Sequence, residues 1–239
     1  MNEPLHRVWV YLEATPLLGL AVTLLAYLAG DALYRRLRLN PLANPVLVAV
    51  LLVSAFLWIT GLDYRRYFDG AQFIHVMLGP ATVALAFPLY RNLAAVRRSG
   101  IAIAAAITAG SLTAAASAVV VAWAMGAGGT TLRSLAPKSV TTPIAMGIAE
   151  QIGGNPSLTA VLVILTGIMG AVMGTIVLDA MGIRDWRARG LAVGTTAHGI
   201  GTARALQVNP VAGAFAGLAM GLNGLATAIL LPVLLALLD

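Results

Sequence analysis

Long apolar runs with almost no charge inside them govern what this chain can fold into. They lie at residues 17–33, 45–62, 73–89, 101–126, 158–181 and 211–238. Several reach the roughly 20 residues that a helix needs to cross a bilayer. Charged residues are 10% of the sequence and hydrophobic ones 59%, against about 25% and 45–50% in a soluble domain. So few charges cannot cover a soluble surface, and the chain reads as an all-α integral membrane protein. The first residues carry Arg7 but no cleavable signal pattern, so the first run is expected to stay as a helix. The chain has no cysteine, which excludes disulfides, thiolate metal sites and thiol nucleophiles. Its net charge is +6, but the basic residues sit in short clusters between apolar runs. That is the pattern of topology signals and lipid-headgroup contacts; no nucleic acid partner is expected.

Two stretches break the pattern. Residues 132–149 and 191–206 are dense in Thr, Ser, Gly and Pro and carry Lys138, His198 and Arg204. Irregular backbone at membrane depth survives only against protein or a watered cavity, so both are expected to be interior, broken or re-entrant. Internal similarity accompanies them. At a constant offset, Leu78, Pro80, Val83, Gly110, Ala114 and Val120 recur as Leu135, Pro137, Val140, Gly167, Ala171 and Val177. Gln151, Asn155-Pro156, Gly167 and Gly170 are answered by Gln207, Asn209-Pro210, Gly221 and Gly224. Repeats with interrupted segments at matching places mark secondary transporters. Arg35, Arg36 and Arg38, then Arg91, Arg97 and Arg98, then Arg184, Arg187 and Arg189 all fall on the cytoplasmic side if 132–149 enters and leaves by one face. The expected architecture is therefore about six crossings plus two re-entrant or broken helical hairpins, in inverted internal repeats. Residues 1–72 would be an N-terminal scaffold or oligomerisation part and 73–239 a transport core.

The broken stretches hold the residues capable of chemistry. Pro137 and Pro143 remove backbone donors and disrupt helix continuity, with Pro80 at the matching place upstream. Between and beside them stand Lys138, Ser139, Thr141 and Thr142. A lysine at membrane depth is a functional candidate by default; the alternative is that it snorkels from a helix end. In the second stretch Gly194, Gly199 and Gly201 permit conformations that a helix forbids. Thr195, Thr196 and Thr202 supply hydroxyls, His198 a titratable ring and Arg204 a permanent cation suited to a carboxylate. His198 reads equally as a packing residue, and Arg204 as an interfacial anchor. Asn223, mid-run, needs an interior partner. Asp31 pairs with Arg35 one turn on, Asp179 is interfacial, and Glu150 reads as a solvated loop residue in preference to a proton-coupling carboxylate. Lys138 and Ser139 project ~100° apart on a helix and make no catalytic dyad, and a lone buried histidine is no metal site. No enzyme activity, metal or cofactor is expected.

The stretch PKSVTTPIAM at 137–146, followed by Ile152-Gly153-Gly154, resembles the signature of the LrgB/CidB family. GTTAHGIGTAR at 194–204, PATVALAFPLY at 80–90 and Asn40-Pro41 through Asn44-Pro45 are similar to further parts of it. The resemblance implies either of two functions. Bacterial members are described as holin-like or antiholin-like regulators of murein hydrolase export and cell lysis, alongside a smaller LrgA/CidA-type membrane partner. Plant members are plastidial glycolate/glycerate translocators, and bacterial ones have been linked to pyruvate. Two broken segments bearing Lys, His and Arg suit transport better than lesion formation. The expected function is a secondary transporter of small monocarboxylates in the cytoplasmic membrane, with a holin/antiholin-type regulator and a passive anion channel as alternatives. Expected partners are a small organic anion, membrane lipid and further copies of the chain.

Overall fold

Asparagine followed by proline opens three of the apolar helices, for one local reason. Proline at the first helical turn gives up a donor that has no partner there anyway, and the preceding asparagine caps the turn. Asn44 Oδ1 accepts from the amides of Val46 and Leu47, Asn155 Oδ1 from Leu158, and Asn209 Oδ1 from Val211 and Ala212. The structure is a computed structural model that describes residues 17–40, 43–77, 80, 90 and 93–236, which are helical with connecting turns and contain no strand.

The chain divides into two compact units, Met1–Ala84 and Leu85–Asp239. In the first, α1 (Leu17–Arg36) packs on α2 (Pro45–Thr60) and α3 (Tyr64–Val76). Gly19 lets α1 approach the Tyr67 backbone, and Gly30 lets it approach Pro45. Thr23 and Tyr67 share a hydroxyl hydrogen bond of 2.7 Å, and Asp31 pairs with Arg35 at 2.7 Å. Sequence reading did not foresee α3, because its polar face hides it from an apolar-run search. Most of the apolar run at 73–89 lies outside the described residues, as do the neighbours of Pro80.

The second unit contains α4 (Leu93–Arg98), α5 (Gly100–Ala124), α6 (Gly129–Leu135), α7 (Thr142–Gln151), α8 (Pro156–Ala180), α9 (Trp186–Val208) and α10 (Pro210–Ala236). Four described helices are long and apolar enough to cross a membrane: α1, α5, α8 and the stretch Pro210–Leu234 of α10. Ile101, Val120, Trp123, Ile176 and Leu225 point outward, which requires a nonpolar surrounding.

Helix α9 reverses direction at His198, where φ is 38° and ψ −134°. Gly190 lies against Ala212 and Gly194 against Ala216, so the first arm runs parallel to α10. Gly199 lies near Met220 and Gly213 against Leu206, so the second arm runs antiparallel to it. The two arms therefore form a helical hairpin. Helices α6 and α7 form another, closed where the Ser134 hydroxyl accepts from the Asn155 amide at 2.7 Å. The first hairpin thus closes at the amino end of α8. The second closes at its carboxyl end, where Arg189 meets Asp179 at 2.5 Å. A core of Ala136, Val140, Ala145, Ile148, Val163 and Leu231 binds the first hairpin to α8 and α10. Ile103 and Ile107 of α5 pack on Phe215 and Ala219 of α10.

Candidate functional site

The two bends meet at one side chain. Asn223, 1% exposed, donates from Nδ2 to the Ser139 carbonyl at 3.2 Å and to the Thr195 carbonyl at 3.0 Å. Both acceptors are backbone groups freed where helices stop. Ser139 lies in the turn between α6 and α7, and Thr195 comes just before the His198 reversal, so its carbonyl lacks the ordinary helical partner. A buried carbonyl without a donor is costly, and a single amide group satisfies one from each hairpin.

Around this junction Ser139, Thr195, His198 and Thr202 are buried, and Lys138 is partly buried. The Lys138 ammonium lies 3.4 Å from Ser139 Oγ, a long contact that leaves most of its donor capacity unspent. His198 Nε2 lies 2.9 Å from the Val163 carbonyl on α8; because a carbonyl only accepts, that nitrogen carries the proton. Gly167 leaves room for the ring, since a Cβ there would lie 2.6 Å from Cε1. The Thr202 hydroxyl donates to the His198 carbonyl at 2.7 Å, closing the first turn after the bend. A positive φ at a residue other than glycine is strained. The ring contact and the Thr202 bond hold it in place.

The other expected residues are distributed unevenly. Thr141 and Thr142 are half-buried at the start of α7, and Thr196 is exposed, its hydroxyl turned back to Ala192 at 2.8 Å. Pro143 occupies the first turn of α7, where it starts a helix and does not break one. Gly194, Gly199 and Gly201 lie within helical arms, and the break falls on His198. Gly194 and Gly201 serve close packing, against Ala216 and against Val193 and Ala197 respectively. Arg204 stands on the returning arm of α9. With Arg189, Thr175 and Val193 it lines a cleft of ≈ 30 Å³, toward the closed end of the hairpin and away from its tip. Arg189 itself is buried against Asp179, the Ile183 carbonyl at 3.0 Å and the Trp186 ring. Glu150 is exposed. Outside the membrane helices, Asp185 caps α9 and is held down to about pKa 2, chiefly by the Arg187 guanidinium and then by the Arg187 amide. Among the described residues no three His, Asp or Glu side chains gather as a metal site.

Sequence reading singled out Lys138, Ser139, Thr195, His198, Thr202 and Asn223 as candidates, but not the geometry that brings them together. Ser139 and Asn223 are 84 residues apart, and no local pattern announces that pairing. Val163, which contributes only its carbonyl, carried no signal at all. Crosslinking tests the junction: Ser139→Cys combined with Thr195→Cys is expected to form a species bridged by a short bifunctional reagent in membranes. Absence of that species, with an adjacent-turn control pair crosslinking normally, would separate the two bends.

Two helical hairpins meeting inside a bundle of apolar spans define a multi-pass helical membrane protein with a polar centre. The chain belongs to the LrgB-like family, whose profile matches residues 23–237. It is 36% identical to the uncharacterized protein YwbG of Bacillus subtilis (strain 168), over 92% of this chain and 97% of that one. It is 32% identical to the antiholin-like protein LrgB of Bacillus mycoides (strain KBAB4), over 92% of this chain and 95% of that one. A protein of the same name from Bacillus cereus (strain B4264) is similar to the same extent. No solved structure matches the chain.

Proposed function

We propose that the chain is a secondary transporter of small monocarboxylates, of the glycolate, glycerate, pyruvate or lactate type, in the cytoplasmic membrane. One observation carries the reading: Asn223 ties together the bends of two helical hairpins that close at opposite ends of α8. A pore lining has no need of that arrangement, whereas a carrier that closes over its cargo does. In this reading Lys138 holds the carboxylate. Ser139, Thr141, Thr142, Thr195, Thr196 and Thr202 supply hydroxyls for the second oxygen, and His198 orients the cargo or exchanges a proton. Arg204, beside Arg189, acts at the route to the site.

The hairpins are re-entrant and enter from opposite faces, within about six crossings. Support comes from the repeated order of hairpin, Asn-Pro cap and long helix: α6–α7 with α8, then α9 with α10. Residues 73–239 form the moving core and 1–72 the scaffold through which copies of the chain, lipid or a small LrgA/CidA-type protein associate. The Arg184–Arg189 cluster is then cytoplasmic. An Arg187→Cys variant in intact cells is expected to resist an impermeant thiol reagent until the membrane is opened, and ready labelling from outside would refute the opposed entry of the hairpins.

A second reading, an antiholin-like regulator of cell lysis, is favoured by the names that the Bacillus relatives carry. Counterflow in proteoliposomes separates the two. A carrier exchanges labelled glycolate or lactate against an internal pool and accumulates label transiently. A channel or lesion leaks without overshoot, and a regulator that carries nothing gives neither signal.

A further inference from the structure

The two hairpins are not held alike. The second is seated at backbone contact on both of its neighbours. A Cβ added at Gly190 would run into the Ala212 carbonyl, and one at Gly194 into that of Ala216, both on α10. On α8, a Cβ at Gly170 would run into Ala197, and one at Gly167 into the His198 ring. Main chain cannot turn aside as a side chain does, and packed interiors yield little. Helix α9 therefore has no room to shift on either helix. The cleft beside it is ≈ 30 Å³, about the share of one water.

The first hairpin is fixed at its base. There the Ser134 hydroxyl accepts from the Asn155 amide, the Ser134 carbonyl accepts from the Thr159 hydroxyl at 2.9 Å, and Gly154 lies against the Ser134 backbone. Gly153, in the turn from α7 to α8, has a φ of 76° that glycine adopts without strain. Beyond the base, the bend at 136–141 closes on itself, the Lys138 amide donating to the Leu135 carbonyl and the Val140 amide to the Pro137 carbonyl. Apolar side chains and one hydrogen bond from Asn223 to the Ser139 carbonyl join it to α8 and α10. A Cβ at Gly147 of α7 would meet nothing within 4 Å, and one at Gly224 of α10 only the end of the Ile144 side chain. Beside Ala136 lies an apolar cavity of ≈ 210 Å³, walled by Ser111 and Ala115 of α5 and Thr227 of α10.

We infer that the first hairpin is the gate of the site and the second its fixed wall. The bend at 136–141 swings on a base formed by Ser134 and the Gly153-Gly154 turn, while α9 stays seated on α8 and α10. The inference rests on the transporter reading and names the part that moves. Three observations point the same way: side-chain contact where the other hairpin has backbone contact, free space beside the bend, and a glycine turn at its base. Gates are drawn from such lightly held elements that pivot on a few terminal residues. Opening would break the bond from Asn223 to the Ser139 carbonyl and keep the one to the Thr195 carbonyl. Lys138 belongs to the same bend, so the cation would travel with the gate and close over the anion it holds.

Each hairpin can be tied to α10 by a disulfide, because the chain has no cysteine of its own. Ile144→Cys with Gly224→Cys ties the first, since a Cβ at 224 would lie 2.9 Å from Ile144 Cδ1. Gly199→Cys with Met220→Cys ties the second, where a Cβ at 199 would lie 3.8 Å from Met220 Sδ. Full-length protein is reconstituted in proteoliposomes, and counterflow of labelled lactate is compared before oxidation, after it and after reduction. Bridging the first pair is expected to slow exchange about tenfold or more, with recovery on reduction, and bridging the second to leave it within about twofold. Exchange that survives the first bridge, or that the second bridge stops reversibly, overturns the assignment and leaves the transporter standing. Hydrogen–deuterium exchange on the unaltered protein decides the matter even where a pair fails to fold or to bridge. Amides at 136–148 are expected to exchange faster than those at 190–202, and to slow when lactate is added. Equal protection of the two hairpins overturns the gate. Exchange of no monocarboxylate by the wild-type chain overturns the transporter reading, and this inference with it.

Discussion

A Lys138→Met variant is expected to lose tenfold to a hundredfold in apparent affinity for its carboxylate while inserting and folding like the parent. Lys138 is partly buried in the turn between two short helices, and its recorded contact is a 3.4 Å approach to the adjacent Ser139 hydroxyl. That contact contributes little to the fold, so removing the charge leaves no strong partner stranded. Methionine keeps the length and flexibility of the stem. The loss is then of one charge-assisted bond to the cargo, about 1.5–3 kcal/mol, or one to two decades in dissociation constant. Counterflow kinetics would measure it, with detergent-solubilised gel filtration confirming that the protein is intact. Unchanged kinetics would assign Lys138 to an interfacial anchoring role.

Gly194→Ala is expected to destabilise the second hairpin by about 3 kcal/mol, at the upper end of what a forced extra methyl does in a packed interior. The added Cβ would run into the Ala216 carbonyl and the Ala216 Cα of α10, and backbone cannot swing aside as a side chain can. Gly199→Ala is the control. Its Cβ would find Met220 Sδ at 3.8 Å, an ordinary contact, and alanine is the better helix former. Thermal unfolding in detergent should show a midpoint roughly 5–10 °C lower for Gly194→Ala and no loss for Gly199→Ala. Equal midpoints for both variants would mean that the first arm of α9 does not lie on α10.

What could be read without tertiary structure is what depends on near neighbours in the chain. The apolar runs could be read because crossing a bilayer needs length and freedom from charge, both properties of a segment. Helix starts at Asn44, Asn155 and Asn209 follow from an asparagine and a proline side by side. The ion pair of Asp31 and Arg35 follows from helical spacing. Helix α3 escaped because Arg65, Arg66, Asp69 and Gln72 interrupt its apolar residues, so a search for unbroken runs passes over it.

The break in the second stretch shows the other limit. Three glycines drew attention because glycine tolerates unusual backbone angles, yet Gly194 and Gly201 are needed where the α9 arms lie close to Ala216, Ala197 and Val193, and Gly199 has only an ordinary contact with Met220. The reversal itself falls on His198, whose strained φ of 38° is held by the Val163 carbonyl and the Thr202 hydroxyl. Arg204 and Lys138 looked alike as cations in broken segments. Folding α9 back on itself carries Arg204 to a cleft beside Arg189, whereas Lys138 stays at the junction. By itself, then, the sequence determined a membrane-spanning helical bundle, its helix starts and the two broken stretches in which Lys138, His198 and Arg204 stand, because these depend on composition and short-range spacing. The tertiary structure decided which of those residues meet. Asn223 reaches carbonyls 84 and 28 residues away, and only the packing of two hairpins against α8 and α10 brings them within one hydrogen bond.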